Sequence, residues 1–387
     1  MAPEKERGKS DGLRNMRRMR SRKIIAILLP CSIQFAACSK PVRESAQNDQ
    51  AKAGAAPGQS RDVSAASVPK LAALLDKYLA EQVAKLGMPG MSVAVVRDGK
   101  VIYAGARGVR KLGERDTLTP RNVFHFASVS KTFVATAVMQ LVERGKLKLD
   151  DKVTTILPYF RLADERYRDI TIRQMLSHTA GLPPGGAYDW DRPQFDEGAA
   201  ERYVCSLTSE RLLWAPGTEY QYSDLGFDIM GDVIAKVSGQ SFEAFVKSNI
   251  LAPLGMASSS FIYLELDSAL RTTGHVDDPA RVSDVFPYNR RHAPSSTLNS
   301  SVIDMTRWML ANLNRGELEG RRILQPASYD ALWAPTVRIP DKRYPGGHVG
   351  LSWFVKEIAG RRTVFHAGGD VGFRKLTFIC IPSAIVR

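Results

Sequence analysis

Phe126-Ala127-Ser128-Val129-Ser130-Lys131 is the stretch on which the reading of this chain turns. Ser128 opens a run to Arg144 with apolar residues at Val129, Phe133, Ala137, Val138 and Leu141. That spacing predicts a helix with one buried face. Positions i and i+3 of a helix are neighbours, so Lys131 stands one turn above Ser128 and its ammonium can reach the hydroxyl. A serine at a helix N-terminus also feels the positive end of the backbone dipole, which favours developing negative charge. Four residues therefore supply a nucleophile, a proton handler and part of an anion site.

Two later motifs extend the pattern. Tyr222-Ser223-Asp224 follows the turn Pro216-Gly217-Thr218, and His366-Ala367-Gly368-Gly369 follows the strand-like run Arg362 to Phe365. With Ser128-x-x-Lys131, and with Leu176-Ser177-His178-Thr179-Ala180-Gly181-Leu182 and Gly350-Leu351-Ser352-Trp353 between, the chain from Val68 onward resembles the serine β-lactamase and penicillin-binding-protein superfamily. The likeness is to its class C β-lactamase-like branch, which uses Y-x-N and often H-x-G in place of K-T-G. The resemblance implies an α+β fold: an antiparallel sheet made from both chain ends, flanked by helices, with a mainly helical region inserted and the active site at the junction. It implies a cofactor-free enzyme with no metal, acting on a small-molecule or peptide substrate: an ester, a β-lactam or a D-amino-acid peptide.

The same resemblance assigns roles. Ser128 would attack a carbonyl and become acylated, and its hydroxyl needs a base. Lys131 and Tyr222 are the candidates, both with ordinary pKa values of about 10. Burial would depress Lys131 and a nearby cation would depress Tyr222; the residues alone leave that choice open. By resemblance Tyr222 also activates the deacylating water. The backbone N–H groups of Ser128 and Gly369 would form the oxyanion hole, and Gly368 lets the strand approach the substrate. Asp224 and His366 are expected to bind substrate, and both depart from the family pattern. Asp224 stands where an Asn donates to a substrate amide carbonyl, and a carboxylate cannot donate. His366 stands where a Lys binds a substrate carboxylate, and an ordinary imidazole is mostly neutral at pH 7. Both changes favour an esterase, a D-amino-acid peptidase or a peptidoglycan-fragment hydrolase over an efficient penicillin hydrolase. A true β-lactamase or D,D-carboxypeptidase is the enzymatic alternative. A non-catalytic lipoprotein binding peptidoglycan or a partner through the same cleft is the alternative of another class. His178 is expected to act through structural hydrogen bonds, and Trp214 and Trp353 to be core or pocket wall.

The 387 residues are 44% hydrophobic and 24% charged, as in soluble globular proteins. Of the net charge of +14, residues 1–23 carry +6 through nine Lys/Arg against three Asp/Glu. The rest is spread along the chain without a basic stripe interleaved with aromatics, so a nucleic-acid partner is not expected. Arg17, Arg18, Arg20, Arg22 and Lys23 precede Ile24-Ile25-Ala26-Ile27-Leu28-Leu29, a charged region followed by an apolar one. The uncharged run 24–37 is too short to span a bilayer. It ends at Phe35-Ala36-Ala37-Cys38, which resembles a lipoprotein signal with Phe35 in the usual place of Leu. The expectation is a signal peptide over 1–37, a lipid anchor on Cys38 or else plain secretion, and a location in the cell envelope. Residues 38–67 are rich in small polar residues and read as a flexible tether. Residues 68–387 form the hydrolase domain. Only 18 residues follow Gly369, so a C-terminal helix typical of the family is expected to be missing. No C-x-x-C or H-E-x-x-H occurs, and pairing of Cys205 with Cys380 is left open.

Overall fold

The computed structural model describes residues 68–340, 345–358 and 360–380, the stretch 374–380 by its backbone only. The expected signal, Cys38 and tether lie outside the described residues. Six helices and nine strands position the site. The helices are α1 (Val68–Lys85), α2 (Ser130–Glu143), α3 (Ile172–Leu176), α4 (Asp224–Ser238), α5 (Ala293–Ser296) and α6 (Val302–Leu313). The strands β1 (Gly90–Arg97) and β2 (Lys100–Gly108) form a hairpin, and β3 (Val123–His125) pairs antiparallel with β4 (Asn299–Ser301). The strands β5 (Val337–Arg338), β6 (His348–Val349), β7 (Phe354–Ile358), β8 (Arg361–Asp370) and β9 (Phe373–Cys380) make one antiparallel sheet in the order β9-β8-β7-β6-β5.

The hairpin turns where its sequence says it should. Asp98 and Gly99 both take positive φ, 50° and 71°, as a two-residue turn between right-twisted strands demands. Among the described residues the strands from the two chain ends stand in two separate sheets. The hairpin is a separate two-stranded sheet, and among the described residues no strand pairs with the outer edge of β9. Helix α6 packs against β1, β2 and β9 alike, so one helix covers both pieces where hydrogen bonds do not join them.

The serine helix departs from the amphipathic expectation. Every residue of α2 from Ser130 to Leu141 is buried. A helix enclosed on all sides is a core element, not a surface one. Its threonines are satisfied locally: Thr132 Oγ1 donates to Val129 O at 2.8 Å, and Thr136 Oγ1 to Thr132 O at 2.9 Å. Gln140 Nε2 donates to the carbonyls of Asn249 and Ile323, each at 3.0 Å. Phe133 stacks on Trp308 of α6 with ring centroids 4.0 Å apart. Trp353 is buried as expected, but Trp214 is 45% exposed. Trp214 acts through its backbone, since a Cβ on Gly181 (φ +76°) would lie 2.3 Å from its carbonyl oxygen. Cys205 is an exposed free thiol.

Helix α4 carries Asp224 and packs closely on α5. A Cβ at Gly231 would sit 2.0 Å from Cγ of Pro294. Alanine is the better helix former by about 1 kcal/mol, whereas overpacking a close contact costs about 1–3 kcal/mol. The proline ring cannot swing away, so the clash wins. Gly231→Ala is therefore expected to lower the urea midpoint of unfolding. A variant more stable than the parent would refute this account of the α4–α5 contact.

Candidate active site

Ser128 sits in a short 3-10 turn, Ala127–Val129, that leads into α2, so it precedes the α-helix proper. Ala127 is held at φ +46°, a region L-residues with a side chain rarely occupy. Such strain persists only where surroundings enforce it. Here Ser130 Oγ donates to Ala127 O at 2.6 Å and accepts from Leu298 N at 2.9 Å. Strand β8 closes the other side. A Cβ on Gly368 would lie 2.3 Å from Phe126 O and 3.1 Å from Ser128 N, so only glycine lets the strand come this near the turn. The register of β8 against β9 shifts between Gly368 and Asp370, which leaves Gly369 at the irregularity.

Lys131 is the most enclosed cation described, with no exposed side-chain surface. Its Nζ donates to Ser128 Oγ at 3.0 Å and to Ser295 O at 2.7 Å, and lies 2.5 Å from Oδ1 of Asp224. The ammonium also stands 5.2 Å from the ring centre of Tyr222. Burial by itself pulls its pKa down. The Asp224 carboxylate, and then Tyr222, more than offset that pull and hold it above the usual lysine value. Lys131 is thus a cation at neutral pH, contrary to the depression that burial alone suggests.

Tyr222 and Asp224 arrive together because their motif is a helix cap. Ser223 is the N-cap of α4, its Oγ accepting from Gly226 N at 3.2 Å and donating to Pro183 O at 2.6 Å. Tyr222 precedes the cap and Asp224 opens the helix. The Tyr222 hydroxyl reaches both Ser128 and Lys131. Burial raises its pKa, Lys131 lowers it and Asp224 raises it, and the net is above the ordinary phenol. His178 fixes this loop in place. It takes φ +57° at the end of α3, its carbonyl accepts from Gln221 N at 2.8 Å, and its Nδ1 accepts from Ser223 N at 3.1 Å. Its ring stacks on Tyr222 at 4.3 Å between centroids. That is the structural hydrogen-bonding role expected of it.

The two departures from the family pattern have clear surroundings. Asp224 holds Lys131 on one side and meets the Tyr188 hydroxyl on another. Burial first, and then Asp224, push the Tyr188 phenol far above its usual range. His366 is fully buried, stacked on Phe354 at 4.9 Å between ring centroids, with Tyr222 6.4 Å away. Its Nδ1 lies 2.8 Å from Ala367 O and so carries the proton, which leaves Nε2 an acceptor. Burial, and then the charge on Lys131, hold its pKa down to about 3. It is a neutral ring lodged beneath the site, with no positive charge to offer.

The structure thus brings Ser128, Lys131, Tyr222, Asp224 and the Gly368–Gly369 strand together, and sets His366 behind Tyr222. Several residues were not foreseen. Tyr188 lies in a loop, and Ser295, whose carbonyl holds Lys131, lies in α5, both without a motif. Asp370 directly follows the glycine pair, and its carboxylate accepts from Ser296 Oγ at 2.6 Å and Trp190 Nε1 at 3.2 Å. Its Oδ2 also lies 3.2 Å from His125 Nε2. Asp228, one turn beyond Asp224, binds Nδ1 of buried His292 at 2.7 Å, while Arg291 Nε donates to Nε2 of that ring at 2.9 Å. The i,i+4 spacing of Asp224 and Asp228 was the one available signal. Among the described residues no cluster of His, Cys, Asp or Glu is placed to hold a metal ion.

Known proteins resemble this chain. The Beta-lactamase family model matches residues 75–384. Penicillin-binding protein 4 of Amycolatopsis lactamdurans is 32% identical over 249 residues, which cover 62% of this chain and 64% of that protein. Protein flp of Staphylococcus aureus (strain N315) is 26% identical over 242 residues, 62% of this chain and 48% of that protein. The chain therefore spans about half to two thirds of the curated relatives it matches. The octameric penicillin-binding protein homologue from Pyrococcus abyssi superposes with a TM-score of 0.71 at 27% identity, covering 80% of this chain and 70% of its own. EstCE1, a hydrolase with promiscuous acyltransferase activity, shares the fold with a TM-score of 0.65 at 24% identity, over 78% of this chain and 88% of its own. With a family match across most of its length and an α+β architecture shared with those structures, this chain belongs to the Beta-lactamase family.

Proposed function

We propose that the protein is a serine hydrolase that cleaves an ester or amide bond through an acyl-enzyme on Ser128. The observation that carries this reading is Ser128 Oγ lying 3.0 Å from the ammonium of an enclosed lysine, with the Tyr222 hydroxyl reaching both groups. Ser128 is itself only partly buried, so a substrate can approach it. Lys131 and Tyr222 both hold their protons at rest. The serine proton passes to Lys131, directly or through Tyr222, as Lys131 releases one to the Asp224 carboxylate 2.5 Å away. The carbonyl oxygen is received by the N–H groups of Ser128 and Gly369, a pair whose individual loss is typically worth about 3 kcal/mol of transition-state stabilisation. Tyr222 then protonates the leaving group and draws a proton from the water that frees the acyl chain.

Charge selects the substrate. Asp224 is occupied by Lys131 and Tyr188 and cannot donate to an amide carbonyl. His366 stays neutral and buried, so it gives a substrate carboxylate no counter-charge. An uncharged ester or a D-amino-acid amide suits the site better than a penicillin. A β-lactamase or D,D-carboxypeptidase is the second reading, favoured by the likeness to Penicillin-binding protein 4. The non-catalytic binding role finds no support among the relatives. The basic and apolar leader with Cys38 supports placement in the cell envelope through a lipid anchor.

Two outcomes are expected. A fluorophosphonate should add to the protein with the mass of one adduct, and Ser128→Ala should abolish it and reduce p-nitrophenyl ester hydrolysis at least about 10³-fold. A stronger response to a fluorescent penicillin than to the ester probe would favour the second reading. Asp224 raises the pKa of both Lys131 and Tyr222. Removing its charge lets both fall, whichever of them is the base. Asp224→Asn also removes the acceptor of the Lys131 proton, so acylation at neutral pH should fall, and the acid limb of the acylation that remains should move to lower pH, by about one unit or more. An unmoved limb, or one shifted to higher pH, rules out this electrostatic role.

A further inference from the structure

Asp370 follows Gly369 directly and closes β8, and Val371 and Gly372 turn the chain into β9. Its carboxylate is enclosed, with 11% of the side chain exposed. Ser296 Oγ donates to Oδ2 at 2.6 Å, and His125 Nε2 lies 3.2 Å from the same oxygen. A carboxylate only accepts, so that nitrogen of His125 is the donor. Trp190 Nε1 donates to Oδ1 at 3.2 Å, and Val371 N to the same atom at 3.3 Å. Burial by itself raises the pKa of Asp370. The bonds from His125 and Ser296 outweigh that and hold it below the usual carboxylate range, so the group is an anion at neutral pH.

Each side-chain donor belongs to a segment that carries another part of the site. His125 ends β3, three residues before Ser128. Ser296 follows Ser295, whose carbonyl holds Lys131. Trp190 stands two residues after Tyr188, whose hydroxyl meets Asp224, and stacks on its ring at 4.5 Å between centroids. One carboxylate thus refers the glycine strand to the nucleophile, to the lysine and to the partner of the lysine. The ladder does not supply that reference. Gly368 pairs with Leu376 and Asp370 with Phe373, and the register slips between them at Gly369. Two adjacent glycines also leave the backbone free of any side chain that could lock it. Beyond the turn, Gly372 O accepts from His275 N at 3.0 Å, which ties the tip to a segment outside the site. When Ser128 Oγ adds to a carbonyl carbon, the C=O π pair moves to the oxygen and the serine proton leaves to the base. Only an N–H already aimed at that oxygen stabilises it, and a misplacement of about 1 Å typically costs about 100-fold in rate.

We propose that Asp370 is a positioning residue of the oxyanion hole: its carboxylate, gripped by His125, Ser296 and Trp190, holds the Gly369 N–H in place against the Ser128 turn. The proposal rests on the serine-hydrolase reading above. A thionoester tests it, because a C=S sulfur is larger than oxygen, a weaker acceptor, and gains little from N–H groups placed for an oxyanion. Hydrolysis of p-nitrophenyl acetate and of its thionoacetate by the full chain would be compared, each rate divided by that with hydroxide. The parent should prefer the oxygen ester at least about 100-fold. Asp370→Ala should reduce that preference at least about tenfold, and Ser296→Ala, which removes a single donor, about threefold. Asp370→Asn keeps the shape and one acceptor oxygen and should fall between the parent and Asp370→Ala. A variant that is merely less stable loses both rates in proportion and leaves their ratio alone, as does one that acts only on the proton transfer at Lys131. If Asp370→Ala does not fold, Asp370→Asn and Ser296→Ala decide. A ratio unchanged in every folded variant, or a parent without the preference, overturns the positioning role alone when ester hydrolysis still requires Ser128. Absence of a fluorophosphonate adduct at Ser128, with ester hydrolysis undiminished in Ser128→Ala, overturns the hydrolase reading and the positioning role with it.

Discussion

A lysine ammonium with no exposed surface is the constraint around which the site is built. Removing such a charge from water costs several kcal/mol even after relaxation, and the loss is recovered only if partners surround it. Lys131 receives them from separate parts of the chain: the Ser128 hydroxyl from its own turn, the Ser295 carbonyl from α5, and Asp224 and Tyr222 from the start of α4. All of them but the Ser295 carbonyl are also groups that the proposed chemistry at Ser128 uses. The electrostatic demand of one buried cation and the assembly of a proton-transfer cluster are thus met by the same contacts.

Support for that cluster comes from unusual backbone. Ala127 and His178 occupy positive φ without being glycines, and both flank residues that must be aimed. Ala127 turns Ser128 toward the strand, and His178 clamps the loop of Tyr222 through its carbonyl, its ring nitrogen and its stacked face. Gly368 completes the turn by omission, since any side chain there would collide with the Phe126 carbonyl. Asp370 gathers His125, Ser296 and Trp190 immediately beyond the glycines. The position of the glycine strand is therefore tied to the core, and strain is placed where the core can enforce it.

Charge gives the site its character. A carboxylate in place of an amide at 224 keeps Lys131 protonated and leaves no donor for an amide carbonyl. An imidazole in place of a lysine at 366 is held neutral by burial and by the nearby ammonium. The net effect is a cluster whose positive charge is internally neutralised.

The local devices were legible in the residues. The i,i+3 reach of Lys131 to Ser128 and the Asp98-Gly99 turn follow from spacing and turn chemistry that act within a few residues. Membership of the family followed from five short motifs in order. What lay beyond the sequence were quantities set by neighbours distant along the chain. Enclosure of α2 on every side depends on α4, α5 and α6, which its own apolar pattern does not name. The sign of the Lys131 shift depends on whether burial or the carboxylate wins, and only the 2.5 Å contact decides it. Tyr188, Ser295 and Asp370 carry no motif because their roles come from where a loop, α5 and the end of β8 land. Sequence by itself determined which groups could react, since that is a property of residue type and local spacing. Tertiary structure decided their protonation and their enclosure, because desolvation and through-space charge depend on distance and not on order along the chain.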